Sequence, residues 1–314
     1  MTMLKTGIKK ELMFFTRSFK MGGIIIAAIA LAIASPILMK FSGMMINSLD
    51  NLNASDPENG VSVSISLETA SDREFKAENM VSMDPGDFMS VFGDENLAPL
   101  GILSAFGDTT STFLLVFMII TMSSAGGELK KRSIIIPQNA GLSTKLYVLP
   151  KFLVYPAAAA LFSFLGIISA GLVTKLVFSS TFDLNILNLL LIALIAAVYD
   201  AFMITLYFTL GLCTARAGIA TIIIYGGGAI LSLLFTSFGA DKFHPFALKN
   251  EAQNILMSGE SDISNIMASG EADMVNIWGS IGVSLLIMIL CYFITVFVIS
   301  AKRVDNRGGE EINL

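Results

Sequence analysis

Two aspartates interrupt apolar stretches of the chain, and they are the residues best placed to do chemistry. Asp200, beside Tyr199, lies midway along one apolar run, and Asp108 interrupts the start of another. A carboxylate in such a run is costly unless it meets a cavity, a partner or a proton. Asp200 is therefore either a pathway contact for cargo or an ion, or a structural node of the helix bundle, and the sequence leaves both open. We interpret Asp108 as a structural residue near the outer end of its run.

Other kinds of catalytic site lack the residues that they need. The single histidine, His244, cannot build a zinc site of the His-based type, and Cys213 and Cys291 lie in apolar stretches where unpaired, buried thiols are expected. The phosphate-binding pattern Gly-x-x-x-x-Gly-Lys-Ser/Thr does not occur. We therefore expect no catalytic residue, no metal and no bound cofactor in this chain, no hydrolysis of ATP by it, and no nucleic-acid partner.

The elements that must hold these residues are membrane-spanning helices. The 314-residue chain is 54% hydrophobic and 14% charged, with a mean hydropathy of +0.74, whereas soluble domains average about 25% charged residues. A helix rising about 1.5 Å per residue needs about 20 apolar residues to cross the hydrocarbon layer. Six runs qualify, and we predict spans at 22–46, 100–126, 152–178, 185–214, 217–238 and 277–301. The predicted fold class is an all-α polytopic membrane protein.

Charged residues separate onto alternating sides of these six spans. The segments 1–21, 127–151 and 302–314, with the turn after residue 214, hold 14 of the 20 Lys and Arg residues, while acidic residues concentrate in 47–99 and 239–276. Basic segments stay in the cytoplasm, so we expect both termini inside and two extracellular loops, in the plasma membrane of a bacterium. Within those loops, residues 61–67 alternate like a short strand, and 246–257 and 261–269 are predicted short helices.

The N-terminal segment 1–21 predicts an amphipathic helix. Its apolar residues fall on one helical face: Leu4, Ile8, Leu12, Phe15 and Phe19. We predict a cytoplasmic connecting helix that lies in the membrane interface; an ordinary basic flank that fixes topology is the alternative. The motif Ala32-Ile33-Ala34 could be a signal-peptide cleavage site, but the long basic region and the apolar run that continues past it argue against cleavage.

The cytoplasmic segment 127–151 is the most informative part of the chain. It is too long for a tight turn and too apolar for a solvated linker, and Ser143 is a good N-cap for a short helix running into Tyr147. Such a segment suits the binding of a partner protein, or alternatively packs on its own bundle. It resembles the region after the second span of ABC-2 type permeases, the membrane subunits of a class of ABC transporters. The residues that stand in the places typical of that family are Glu128, Arg132, Ser133, Pro137, Leu142 and Lys151.

The resemblance implies a function and a set of partners. The segment 127–151 would contain the coupling helix that receives motion from an ATPase, and the loop 239–276 would partly re-enter the membrane and close an outer gate. The partners would be two copies of an ABC ATPase, which carry ATP and magnesium, a second permease subunit, identical or different, and the lipid bilayer. The expected function is that of an exporter permease with a lipophilic or amphipathic cargo. A stand-alone secondary transporter or channel is the alternative, and the resemblance leaves the role of the loop 47–99 open.

Overall fold

The described part of the chain is almost entirely helical. The computed structural model describes residues 2–17, 20–55, 94–125, 143–178, 185–214, 216–237, 242–257 and 273–307, and these residues contain no β-strand. Of the sequence-based predictions, the strand at 61–67, the helix at 261–269 and most of the segment 127–151 lie outside the described residues.

Eight helices account for these residues. They are α1 (Thr2–Arg17), α2 (Lys20–Ser55), α3 (Asp94–Asp108, a π-helical turn Thr109–Phe113, and Leu114–Ala125), α4 (Thr144–Val177), α5 (Ile186–Thr214), α6 (Ala217–Ser237), α7 (Ala247–Met257) and α8 (Met274–Arg307).

Helices α4 and α5 pack antiparallel to one another. Tyr155, near the start of α4, stacks on Phe208 near the end of α5. Towards the other end of the pair, a Cβ atom at Gly171 would lie only 2.6 Å from the Leu189 side chain. The bundle therefore has two ends, which we name after the short helices that pack there: the α1 end and the α7 end.

Five helices are long and apolar enough to cross a membrane. Their apolar parts are Gly22–Met45, Leu97–Met122, Thr144–Val177, Ile186–Thr214 and Met274–Ala301. Helix α5 is the central one, while α2 and α8 expose wide apolar faces with side chains such as Ile26 and Phe297. Apolar faces of that extent belong in lipid or against another protein. The prediction of a helical polytopic membrane protein is confirmed at this level.

The sixth predicted span, 217–238, corresponds to helix α6. The part of α6 that is described in full and apolar, Ala217–Gly228, is shorter than a membrane crossing. The crossing by α6 and the placement of the two ends inside and outside the cell stay predictions.

The helices extend further than the predicted spans. Helix α2 continues to Ser55, nine residues into the predicted loop 47–99, and α8 continues to Arg307 in the predicted tail. Ser143 is confirmed as an N-cap, because its hydroxyl accepts a hydrogen bond from the N–H of Leu146 at 3.4 Å. The helix that it begins is not short, however: it runs without interruption into the third apolar stretch.

Asp108 lies at the middle of α3, not near its outer end as the sequence suggested. Its carboxylate, which is half-buried, accepts a 2.7 Å hydrogen bond from Ser35 of α2 and so joins α2 to α3. The π-helical turn that follows contains four hydroxyl side chains, and three of them donate to carbonyls of the preceding turn, as Thr109 does to Ala105 at 2.6 Å. Local bonds of this kind satisfy polar side chains within an apolar helix. The structural role that we inferred for Asp108 stays a prediction, and its hydrogen bond to Ser35 agrees with it.

Candidate functional site

Helix α1 packs closely against the first turns of α4. A Cβ atom at Gly7 would lie 2.8 Å from Cγ of Pro150, so only glycine allows the two helices to approach at this point. Residues 7, 11 and 15 are spaced by four and form one stripe of α1. In that stripe Glu11 and Phe15 are both buried. The stripe, rather than the predicted apolar face as a whole, is the surface of α1 that the bundle covers.

The bundle therefore covers one part of the predicted apolar face of α1 and leaves another part exposed. Phe15 is buried, but Leu12, which we placed on the same face, is 47% exposed. The reason is that the stripe of closest approach is rotated towards the side of Glu11, which leaves Leu12 at its margin. An exposed apolar margin beside a basic face is the pattern of a helix at the membrane interface, and that location stays a prediction.

A buried ion pair joins α1 to α4. The ammonium of Lys151 donates to Oε1 of Glu11 at 2.9 Å, and the Tyr155 hydroxyl donates to Oε2 of the same carboxylate at 3.1 Å. Lys151 is completely buried and Glu11 is 4% exposed. Both carboxylate oxygens are therefore satisfied, which is the condition under which two charges can be tolerated away from water. We call this arrangement of Glu11, Lys151 and Tyr155 the α1–α4 joint.

Aromatic rings extend the α1–α4 joint into the rest of the bundle. Phe15 contacts the edge of Tyr155 at a centroid distance of 5.8 Å and also contacts Phe117 of α3 at 6.1 Å. Tyr155 in turn stacks on Phe208 of α5 at 4.8 Å. Helix α1 is thus anchored on α3, α4 and α5 through a continuous cluster of buried rings.

Of the six predicted coupling residues, the structure describes only Lys151. Glu128, Arg132, Ser133, Pro137 and Leu142 lie outside the described residues. Lys151 was singled out as a residue of a cytoplasmic loop, and the structure places it inside a helix, with its charge paired. Its role in coupling to an ATPase stays a prediction.

Sequence reasoning missed Glu11, the partner of Lys151. A signal was present, since Glu11 is the single acidic residue among the first twenty and falls between Ile8 and Phe15 on the apolar face of the helix. A lone carboxylate on an otherwise apolar face requires a buried partner. Nothing in the sequence showed that this partner would come from residue 151.

The second candidate site surrounds Asp200, at the middle of α5. Asp200 is completely buried, and its Oδ2 accepts a short hydrogen bond from the hydroxyl of Ser163 of α4, which is also completely buried. The other carboxylate oxygen, Oδ1, has no hydrogen-bond partner among the described residues. Asp200 is therefore a buried carboxylate with half of its hydrogen-bonding capacity unused, which is uncommon in proteins.

Helix α7 brings a positive charge to this carboxylate. The ammonium of Lys249 interacts electrostatically with Asp200 and lies 5.0 Å from the ring centroid of Tyr199. Phe246, just before α7, contacts the edges of Tyr199 and Phe202 at centroid distances of 6.4 and 6.1 Å. The segment that contains α7 therefore reaches the middle of α5. We call Asp200, Ser163, Tyr199 and Lys249 the Asp200 site.

The prediction for Tyr199 and Asp200 was open between a pathway contact and a structural node. The structure shows that both side chains are buried and that Asp200 is a hydrogen-bonding node between α4 and α5. Sequence reasoning missed Ser163 and Lys249. Lys249 had been counted only as a charge of an outer loop, because its approach to Asp200 depends on the fold of α7 against α5.

Helix α7 is tied to the start of α8 by polar contacts. Both oxygens of Glu251 accept hydrogen bonds, one from the side chain of Asn276 at 2.6 Å and one from the backbone N–H of Asp273 at 3.2 Å. Asn276 in turn accepts a 2.8 Å hydrogen bond from the backbone N–H of Phe243, whose φ of 58° is unusual for a residue with a side chain. These bonds fix the turn before α7 against α8.

Apolar packing holds α7 against the rest of the bundle. Leu248, Ala252 and Ile255 recur at spacings of four and three, are buried, and join a cluster with residues of α3, α4, α5 and α8. At the start of α7, Nδ1 of His244 accepts the N–H of Ala247 at 3.0 Å and so caps the helix. The predicted helix at 246–257 is confirmed, and it covers the α7 end of the bundle.

Among the described residues, no three His, Cys, Asp or Glu side chains are close enough together to hold a metal ion. The chain matches no protein-family model, no curated protein and no solved structure.

Proposed function

We propose that the chain is the permease subunit of an ATP-binding cassette transporter of the ABC-2 type, an exporter that moves its cargo across the plasma membrane. The proposal is supported by the apolar antiparallel helices, the amphipathic α1 packed at one end and α7 packed at the other. The chain has no phosphate-binding loop of its own, so ATP and magnesium would bind to a separate ATPase subunit.

The α1–α4 joint is the observation that carries this proposal. The predicted coupling segment 127–151 runs into α4, which begins directly after the cap Ser143. A force applied by an ATPase to that segment would therefore pass into α4. Breaking a buried ion pair by removing one charge from its partner costs about 3–5 kcal/mol. The Glu11–Lys151 pair would thus keep α1 attached to α4 while α4 tilts.

Movement of α4 would then reach the middle of the bundle. Ser163 lies on the same continuous helix as Lys151, 12 residues further on, which corresponds to about 18 Å. Its hydrogen bond to Asp200 connects α4 to the central helix α5. The rigid helices would rock between two arrangements, and α7 would close the pathway at the α7 end in the arrangement seen here.

The quaternary structure follows the same proposal. Two permease subunits, identical or different, would pair within the bilayer and bind two ATPase subunits. The apolar faces of α2 and α8 stay exposed when the chain is taken by itself. Lipid and the second permease subunit would share that surface.

The first experiment is co-purification from cells that express the tagged chain together with its neighbouring genes. We expect an ATPase to co-purify in a one-to-one ratio with the permease. Replacement of Glu128 or Pro137 should then lower cargo transport per ATP hydrolysed, while the amount of folded permease stays unchanged. Absence of any bound ATPase, or a normal ratio of transport to hydrolysis in these variants, would remove the assignment.

Lys151 permits a second experiment with a matched control. In reconstituted vesicles, Lys151→Met should lower the coupling between hydrolysis and transport, because α1 no longer follows α4. Lys145→Met makes the same chemical change on an exposed residue of the same helix and should leave coupling intact. Equal effects of the two substitutions would show that the ion pair has no part in coupling.

The Asp200 site favours a second candidate function, that of a secondary transporter. A buried carboxylate with a free oxygen can accept a proton, and intramembrane carboxylates serve proton-coupled transporters in this way. The two functions differ in their energy source. Uptake or extrusion of cargo by the purified chain in vesicles, driven by a pH gradient without an ATPase or ATP, would support the second function over the first.

A further inference from the structure

The Asp200 carboxylate is only partly compensated by its neighbours on α4 and α5. Ser163 supplies a neutral hydroxyl to Oδ2, and Oδ1 has no hydrogen-bond partner among the described residues. A completely buried carboxylate is strongly disfavoured unless a positive charge or several hydrogen bonds compensate it. The positive charge that acts on it belongs to Lys249 and comes from α7.

The contacts of α7 divide into two groups of different kinds. The charged and amide hydrogen bonds, those of Glu251 with Asn276 and Asp273, connect α7 to α8. The contacts with α5 include the ring edge of Phe246, just before α7, the apolar side chains of α7 and the Lys249 charge. Apolar surfaces separate without leaving unsatisfied hydrogen-bonding groups, whereas hydrogen bonds to charged groups are costly to break. A movement of α7 away from α5 that keeps these hydrogen bonds to α8 would preserve the charged contacts of Glu251.

Such a movement would withdraw Lys249 and leave Asp200 without its cation. The carboxylate would face the space vacated by α7, beside the rings of Tyr199 and Phe202, which are buried in this structure and would become exposed by the movement. A carboxylate among aromatic rings is a binding site for an organic cation, because the carboxylate supplies the charge and the ring faces attract the cation and its apolar substituents. The ammonium of Lys249 already lies over the Tyr199 ring in this way, at 5.0 Å from its centroid.

We propose that Asp200 binds the cationic group of the cargo, an ammonium or guanidinium attached to an apolar body, and that Lys249 occupies the same position while α7 is seated. This inference rests on the proposed function in that it takes the space between α4, α5 and α7 as the transport pathway. It specifies the cargo as a lipophilic cation, and it makes Lys249 a competitor for the site.

The test measures binding of a lipophilic cation to the purified full-length chain in lipid nanodiscs, without ATP or an ATPase. Radiolabelled tetraphenylphosphonium is the probe, and tetraphenylborate, of the same shape and opposite charge, is its control. Replacement of Asp200 by Asn should weaken tetraphenylphosphonium binding by about tenfold or more, and Lys249→Met should strengthen it by about tenfold, each corresponding to about 1.4 kcal/mol. Tetraphenylborate binding should not respond to Asp200→Asn.

Asp108 provides the matched control. It is the other intramembrane aspartate, it also accepts a hydrogen bond from a serine, and Asp108→Asn should leave the affinity for tetraphenylphosphonium unchanged. The proposal is overturned if Asp200→Asn binds as the unaltered chain does, if Asp108→Asn loses as much affinity, or if Lys249→Met binds more weakly. Size-exclusion chromatography of each variant identifies any that fail to fold.

A measurement on the unaltered chain keeps the test independent of folding. Tetraphenylphosphonium should displace Lys249, so labelling of Lys249 by an amine-reactive reagent, followed by mass spectrometry, should increase when the probe is added. Unchanged labelling at saturating probe would also overturn the proposal. Because no ATPase is present, failure here leaves the outcome of the co-purification experiment untouched, and the reverse holds as well.

Discussion

Removal of the Lys151 charge gives the sharpest test of how α1 is held. Lys151→Met keeps most of the volume of the side chain but takes the ammonium away from the Glu11 carboxylate, which is 4% exposed and still accepts the hydrogen bond of the Tyr155 hydroxyl. The buried carboxylate must then become either hydrated or protonated. The easiest way to reach water is for α1 to detach from α4.

The size of the effect follows from the burial of the pair. Loss of one partner of a buried ion pair costs about 3–5 kcal/mol, and the position of the pair at an end of the bundle favours the lower figure. A cost of about 3 kcal/mol corresponds to roughly a hundredfold increase in the population of detached α1. Buried apolar contacts of Phe15 with Phe117 and Tyr155 would remain and would oppose detachment.

Hydrogen exchange of the α1 amides in nanodiscs measures this population directly. We expect protection of residues 8–16 to fall roughly a hundredfold in Lys151→Met, while protection in the middle of α5 is unchanged. Lys145→Met, an exposed residue of the same helix, should leave α1 protection as it was. The double variant Glu11→Gln with Lys151→Met should recover most of the lost protection, because no buried charge remains.

The double variant decides whether the reasoning is right. If the two residues form one buried ion pair, their effects must be strongly non-additive. Equal loss of protection in the double and the single variant would show that Glu11 is not destabilised by loss of its partner. Losses that simply add would show that the two side chains act independently.

Two further predictions concern close packing and pH. Gly7→Ala should destabilise the packing of α1 on α4 by about 1–3 kcal/mol, because the new methyl group would lie 2.8 Å from Pro150. Gly22→Ala has no atom within 4 Å of the new methyl group and should stabilise its helix by about 0.5–1 kcal/mol. Thermal unfolding of the two variants checks that the two effects have opposite signs. Asp273 accepts the N–H of Asn276 at the start of α8, and this bond first, then other contacts, holds the pKa of its carboxyl below its usual value of 3.8. A carboxyl whose pKa is lowered by folding stabilises the folded state at higher pH, and this stability is lost as the pH falls through that pKa. Exchange protection at the start of α8 should therefore decrease below pH 3.8, and Asp273→Asn should remove that decrease. An unaltered acid response in the variant would contradict the assignment.

The long apolar helices were predictable from the sequence because each depends on a property of its own residues. About twenty consecutive apolar side chains are sufficient to indicate a crossing, whatever the rest of the chain does. The cap at Ser143 was predictable for the same reason, since it involves residues only three positions apart. The start of α4 was placed at 152 rather than 144, because Lys145 and Lys151 were taken as loop residues.

The contacts of the two sites were not predictable because their partners come from distant parts of the chain. Lys151 could be recognised as a helical residue only with Glu11 opposite it, and these residues are 140 positions apart. Asp200 was identified from its apolar surroundings, but the sequence held no indication that Ser163, among many serines, would be its neighbour. Lys249 reaches the site because the chain turns back before α7.

The pairing of Glu11 with Lys151 also affects how the protein is made. Synthesis runs from the N-terminus, so Glu11 leaves the ribosome 140 residues ahead of its partner. At about 5–20 residues per second, this interval lasts roughly 7–28 s. During that time the nascent α1 is an amphipathic helix whose carboxylate has no counter-charge from α4. A helix of this kind binds at the bilayer surface. Helix α1 is thus seated only after α2, α3 and the first turns of α4 have been synthesised.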